Sequence, residues 1–304
     1  MILTCTPNPA LDVSYQVDRV VPGTTHRIRS VLERAGGKGF NVSRVLTQMG
    51  VPTLAVGPVG GILGDSLRAD LIESGLPHEL LPVTAATRMT VAVVAADPPD
   101  ATMFNEPGGP MSEMDWARLR DLIAKHLRRA SVLVCSGSLP PDAPEDAYAG
   151  FVKLAKDFGV PSVVDVGGPA LRAAAAAGAD ILKPNAEELR SAVGVDDPLT
   201  GARELLALGA SAVVVSLGAD GSILATPTAT WRAVGPRIDG NPTGAGDAAV
   251  AALADGLSRA TPWPDRLRTA VSWSAAAVAA PVAGTIDEDV LAGVEVEITE
   301  YPTP

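Results

Sequence analysis

The chain has 304 residues, 47% hydrophobic and 19% charged, enough apolar material for one large core or two small ones. Aromatic residues make up only 4%, so that core has to be built from Ala, Val and Leu. The net charge of -11 excludes a nucleic-acid binder, which needs a basic footprint to displace counterions, but leaves anionic small substrates open, because a basic pocket can sit in an acidic surface.

In chain order, "MILTCTPNPALDVSY" has no basic segment and no long apolar run, so no secretion signal is expected and a cytoplasmic protein is the default. "ALDVSYQVDRV" alternates apolar and polar residues as a half-exposed strand does, and "TRMTVAVVAAD" (87–97) does so again. Between them "AGGKGFNVSRVL" (35–46) reads as a loop opening a helix, whose apolar stripe is Phe40, Val42, Val45, Leu46 and Met49. From about Ala130 strands and helices alternate. "SVLVCSGSLP" is a buried strand, "PEDAYAGFVKLAKDFG" (144–159) a helix stopped by Gly159, "VPSVVDVGG" a strand and "PALRAAAAAG" a helix. "ADILKPN", "AEELRSAVG", "ARELLALGA" and "SAVVVSLGADG" continue as strand, helix, helix and strand, and "GSILATPTATWRAVGP" reads as a hairpin. Such units imply a parallel sheet with helices on both faces, and the amphipathic strands of the first third a flap projecting from it. The Ala170–Ala179 run is too short for a membrane span, and the final "YPTP" reads as a frayed end. Cys5 and Cys135, far apart in sequence and each in an apolar run, are expected as buried reduced thiols.

Several loops carry possible chemistry, each beside an ordinary alternative. In "NPTGAGD", Gly244 and Gly246 let backbone N–H groups approach an anion at a helix mouth, with Asp247 beside it to take a proton; the alternative is a plain N-capping Asp. Lys38, among Gly36, Gly37 and Gly39, heads a donor-rich loop that could cradle a polyol or phosphate, though it lacks the P-loop ending. Asn185 and Glu188 of "LKPNAEEL" suit a hydrated Mg2+, or simply place acids in a first helical turn. "VSLGADG" and "SGSLP" empty strands into turns where ligands collect in open α/β sheets, or where strands simply turn into helices. Asp12, Arg27 and Arg88 lie on or beside the flap strands, as sugar and phosphate contacts or as solvated surface charges. The spacing of His26, His78 and His126 excludes zinc chemistry, and neither a G-x-S-x-G elbow nor a first-unit G-x-G-x-x-G appears.

Together, "TPNPALDVSY", "AGGKGFNVSRVL", Thr87-Arg88, "CSGSLPP", "LKPNAEEL", "VSLGADG" and "NPTGAGD" resemble, in order and spacing, the ribokinase-like PfkB carbohydrate kinases, in the branch containing 1-phosphofructokinase and tagatose-6-phosphate kinase. The resemblance spans nearly the whole chain. It implies one kinase domain over residues 1–304, a three-layer α/β/α sandwich with a mostly parallel sheet, and a small β-sheet lid from strands within 11–35 and 85–107. It further implies that Asp247 is the general base and that Gly244, Ala245 and Gly246 form the anion hole. Asp12, Gly37, Lys38 and Asn41 would hold the sugar with Ser138 nearby, and Arg27 and Arg88 its phosphate, Arg27 from a partner's flap. Lys183, Asn185, Ser216, Gly218 and Gly221 would line the ATP site, with Asn185 and Glu188 acting on Mg2+ through water. A cytoplasmic homodimer paired through its lids follows, with no nucleic-acid or membrane partner. The expected reaction is ATP-dependent phosphorylation of tagatose 6-phosphate or fructose 1-phosphate; fructose 6-phosphate, a neutral sugar or nucleoside, and a non-catalytic sugar-phosphate sensor are the alternatives.

The departures bear on the sugar. Asn241-Pro242 replace the usual Asp-Thr before Gly-Ala-Gly-Asp, as in tagatose-6-phosphate kinases. Thr90 and Ala92 stand where 1-phosphofructokinases carry Asn and Lys, which removes one phosphate-facing charge. Gly167 replaces a common Ser.

Overall fold

Short, doubly buried strands organise the molecule. A computed structural model of the chain describes residues 1–96 and 99–301; Asp97, at the end of the expected 87–97 strand, and the last three residues of the "YPTP" tail lie outside them. The first half contains β1 (Ile2–Cys5), β2 (Ala10–Val17), β3 (Ser30–Gly36), α1 (Lys38–Gln48), β4 (Thr53–Val59), α2 (Gly61–Glu73), β5 (His78–Pro82), β6 (Arg88–Ala96), β7 (Pro99–Asn105), α3 (Glu113–Leu127) and β8 (Val132–Ser136). Then follow α4 (Ala147–Asp157), β9 (Ser162–Asp165), α5 (Pro169–Ala176), β10 (Ile181–Leu182), α6 (Ala186–Val193), α7 (Pro198–Leu208) and β11 (Val213–Ser216). The chain ends with β12 (Ser222–Ala225), β13 (Thr230–Val234), α8 (Ala245–Ser258), α9 (Trp263–Ala279), α10 (Glu288–Gly293) and β14 (Glu297–Tyr301).

Successive residues of a strand face opposite sides, so an unbroken apolar run must be covered twice. Leu3, Cys5, Leu133, Cys135, Val164, Val213 and Val215 enter one core with apolar residues of α3, α4, α5 and α7. Their neighbours Ile2, Val132, Val134, Val163 and Val214 enter a second core with α1, α8 and α9. Fully burying each such side chain is worth about 1.5–3 kcal/mol. The fold is therefore a three-layer α/β/α sandwich. Its ten strands run β14-β13-β12-β11-β10-β9-β8-β1-β4-β5, parallel from β11 to β5 and antiparallel from β11 to β14. Sequence order reverses at β1, between β4 and β8, and open α/β sheets bind ligands beyond the carboxyl ends of the strands near such a point.

A separate sheet, ordered β3-β2-β6-β7, stands beside this body. Leu11, Val13 and Ala35 are buried in it, and β2 and β3 pack against α2. Because β2 pairs antiparallel with β3 and parallel with β6, one lateral row reads Arg34, Asp12, Thr90, Asn105.

Several boundaries differ from the sequence reading. Helix α1 begins at Lys38, so that lysine lies in a helical turn rather than a flexible loop, and Asn41 is the helix's fourth residue rather than its opening. The "ADILKPN" strand shrinks to two residues because Lys183 and Pro184 already turn toward α6. Tyr301 is not frayed: β14 pairs with β13 and extends the hairpin to three strands. Cys5 and Cys135 are free and buried as expected, yet they are register partners on β1 and β8. No helix among the described residues is long and apolar enough to cross a membrane.

Candidate active site

A cleft of about 340 Å³ opens where the carboxyl ends of β9, β10 and β11, the first turns of α1, α6 and α8, and the small sheet meet. Asp12, Gly37, Lys38, Asn41, Arg88, Lys183, Asn185, Glu188, Ser216, Gly244, Gly246 and Asp247, all singled out in the sequence, line it.

The α8 mouth is built by a glycine. Gly244 is the N-cap with φ 90°, a left-handed conformation that costs an L side chain, and a Cβ there would stand 2.8 Å from Ala283 Cα. Asp247 is therefore not the capping residue, and its side chain makes no capping bond. It lies within the first turn, 5% exposed, where its Oδ2 accepts a hydrogen bond from Asn41 Nδ2 at 2.8 Å. Burial raises the Asp247 carboxyl to about 7; nearby Asp165 adds to this, while Lys38, the Asn41 hydrogen bond and Lys183 pull the other way. The Ala245 N–H is directed at the Pro242 carbonyl at 3.2 Å, whereas the N–H groups of Gly244 and Gly246 have no acceptor among the described residues. The first N–H groups of a helix lack intrahelical partners and attract negative charge.

A chain of alternating charge crosses the cleft floor. Lys38 Nζ lies 3.3 Å from Asp165 and 3.4 Å from Glu188, and Lys183 Nζ lies 3.5 Å from Asp165. Asp165 also accepts from Ser136 Oγ at 3.2 Å. Burial pushes the Asp165 carboxyl up, but Lys183, Lys38 and its hydrogen bonds outweigh that and hold it below the usual range. Asp165 in turn raises Lys38, against burial and with help from Glu188 and Asp247, so both groups stay charged. The ammonium of Lys183 stands beside the α8 backbone, 3.5 Å from where a Cβ at Gly246 would be.

Asn185 and Glu188 form a reciprocal cap on α6: Asn185 Oδ1 accepts from the Glu188 N–H at 2.8 Å and Glu188 Oε2 from the Asn185 N–H at 2.9 Å. These hard oxygen donors, already partly occupied, suit a hydrated Mg2+ rather than a bare ion cage. Among the described residues no group of three or more His, Cys, Asp and Glu is placed to hold a metal ion. Gly167 lies against the Glu188 side chain, where a Cβ would come within 3.1 Å of Glu188 Cγ.

From the small sheet, Asp12 leans into the cleft across the Gly36 backbone, which leaves no space for a side chain at that position. Burial raises its carboxyl to about 6, against the pull of Arg88, a Thr90 hydrogen bond, Arg34 and Arg44. Arg88 spends Nε on the Asn8 carbonyl at 3.3 Å and Nη1 on the Glu106 carbonyl at 2.9 Å, which leaves Nη2 without an acceptor among the described residues.

Other sequence candidates lie outside the cleft lining. Arg27 is exposed in the β2–β3 connection. Ser138 is exposed, and its Oγ accepts from Asn8 Nδ2 at 3.3 Å. Gly218 and Gly221 bound a turn just beyond Ser216, closed by the Leu217 N–H on the Gly221 carbonyl at 2.8 Å. Conversely, Asp165, Asn105 and Thr243 line the cleft without having been singled out, and Thr90 had been noted only as a departure. Asp165 ends a buried strand at its carboxyl end, a readable signal; Thr90 and Asn105 face Asp12 only through a strand register that sequence does not give.

Residues 8–289 match the family described as pfkB family carbohydrate kinase, and the chain belongs to that family. It is similar to Escherichia coli phosphofructokinase-2 solved with fructose-6-phosphate: 28% identity, TM-score 0.88, 96% of this chain and 98% of that one. A Thermotoga maritima protein described as a possible 1-phosphofructokinase matches at 25% identity and TM-score 0.87, covering 98% and 99%. Arabidopsis thaliana ribokinase, at 22% identity and TM-score 0.74 over 96% and 97%, shares the fold.

Proposed function

We propose that this chain transfers the terminal phosphoryl group of ATP to a hydroxyl of a ketohexose phosphate, giving ADP and a ketohexose bisphosphate. The observation that carries this reading is a buried carboxylate, Asp247, in the first turn of a glycine-capped helix and facing a sheet that presents Asp12 and Arg88. The chain acts as one kinase domain with the small sheet as its lid, which closes over the sugar and excludes water.

Asp247 accepts the proton of the attacking hydroxyl as its oxygen bonds to phosphorus and the bond to the ADP oxygen breaks. The N–H groups of Gly244 and Gly246, with Lys183, receive the charge on the transferring group. Asn185 and Glu188 would hold Mg2+ through water, and that ion would offset the nucleotide's phosphate charge. Ser216, with the Gly218 and Gly221 turn behind it, borders the nucleotide side. Asp12, Lys38 and Asn41 bind sugar hydroxyls, and Arg88 binds the phosphate already present.

Ala92 lies on the same face of the small sheet as Thr90 and supplies no cation. Tagatose 6-phosphate therefore leads, and fructose 6-phosphate, the sugar named with the E. coli neighbour, joins fructose 1-phosphate behind it. The lid's edge strands expose apolar residues on both faces, Val31 (54%) and Phe104 (59%) on one and Leu32 (48%) and Met103 (40%) on the face that carries Asp12. Packing of a second lid against them would bring Arg27 toward the partner's cleft. The test is ADP release against tagatose 6-phosphate, fructose 6-phosphate, fructose 1-phosphate and neutral sugars. Turnover confined to one or more of the phosphates is expected, and a preference for a neutral sugar would sink the reading.

A further inference from the structure

The small sheet and the α8 mouth are joined at a point outside the cleft lining. Arg34 stands opposite Asp12 in the β2–β3 ladder, and its Nη1 donates to the Ala283 carbonyl at 2.8 Å, across 249 residues of sequence. Ala283 is also the residue against which the left-handed Gly244 cap is packed. The next residue, Gly284, lies against Asn41, since a Cβ on it would be 3.0 Å from Asn41 Oδ1, and Asn41 holds Asp247. The loop has its own anchor: Gln48, at the end of α1, donates to the Ile286 carbonyl at 2.7 Å and accepts from the Ile286 N–H at 2.9 Å. Next to Arg34, the Ala35 N–H is held by Asp70, which pairs with Arg44. One short loop therefore touches the cap, the residue that orients the base, and the sheet that carries Asp12.

We propose that Arg34 is a positioning residue that couples the small sheet to the α8 mouth through Ala283, so that the seating of the sugar and the geometry of the phosphoryl cradle are set together. This rests on the kinase reading above. A guanidinium suits the task because it can hold the carbonyl with one N–H while its charge stays beside Asp12.

Arg34→Met tests it. The coupling predicts a kcat lower by about tenfold or more, since small misplacements of reacting groups are that costly, with both KM values within about threefold, as expected when ground-state binding is kept. It also predicts faster amide hydrogen exchange at residues 243–247 and 282–286, with β8 unchanged, and recovery of both in Arg34→Lys, which keeps a donor and a charge. A raised sugar-phosphate KM at unchanged kcat would make Arg34 a direct contact and overturn the coupling. A lower Tm with unchanged kcat and unchanged exchange in those segments would reduce it to a fold contact and overturn it as well. Should Arg34→Met not fold, Arg34→Gln, too short to reach Ala283, takes its place with the same expectations. The exchange measurement needs no sugar, so unchanged exchange counts against the coupling alone, and absence of turnover with every sugar against the kinase reading alone.

Discussion

Asp247 and Asp12 carry carboxyls that burial raises to about 7 and about 6. The folded protein keeps these protons up to those values, whereas the unfolded chain releases them near 4. Their contribution to stability is thus fully present below about pH 4 and is lost as pH rises toward 7. Asp247→Asn removes the larger share, so its Tm at pH 8 should exceed that of the wild type, with the gap closing toward pH 4; a lower Tm at pH 8 would contradict that sign. In turnover the same group has to be deprotonated, so kcat/KM should climb through an apparent pKa near 7 and level off above it. A profile flat from pH 5.5 to 8 would remove Asp247 as the base. For Arg88→Ala, KM should rise sharply with a phosphorylated sugar and hardly change with a neutral one, because the guanidinium has an N–H pair left for an anion. The residue types at these positions were legible in the sequence. What sequence left open was whether Asp247 caps α8 or stands inside it, and Gly244 decides that by taking the cap position itself.

At the scale of elements, the α8 turn is the most constrained piece. Gly244→Ala would force a side chain into a left-handed conformation, costing roughly 1–2 kcal/mol, and would drive it against the Ala283 backbone. Stability should fall by more than that conformational cost alone, and kcat should fall with it; an unchanged Tm would mean that the turn relaxes freely. The alternating runs placed β2 and β6, and the continuous apolar runs placed β8, β9 and β11, because burial on one face or two leaves different patterns. The row Arg34, Asp12, Thr90, Asn105 was not legible. It depends on which strands pair and in what register, and hence on contacts such as Asp12 with Thr90, 78 residues apart, which local periodicity does not record. Asp165 differs: it closes a strand whose sequence was legible, and a carboxylate at the carboxyl end of a buried parallel strand points to the crevice.

For the whole molecule, strand–helix alternation foretold the parallel sheet, and the two faces of that sheet account for both large cores. The antiparallel extension through β14 escaped notice, since "EITEY" is short and far from its partner β13. The exposed apolar strands of the small sheet lead to a prediction at this scale. Sedimentation should give a dimer, and Phe104→Asp should shift it toward monomer without lowering the monomer's own stability, Phe104 being 59% exposed in the single chain. A wild-type monomer at micromolar concentration would rule out the lid pairing. The central claim is that Asp247 drives phosphoryl transfer to a phosphorylated sugar. It is tested most directly by single-turnover formation of bisphosphate from saturating ATP and ketohexose phosphate, wild type against Asp247→Asn, with binding of the sugar phosphate measured on both. The account predicts product from the wild type and none from the variant, with affinities within about tenfold, because the substitution removes the base and little volume; near-full transfer by Asp247→Asn would contradict it.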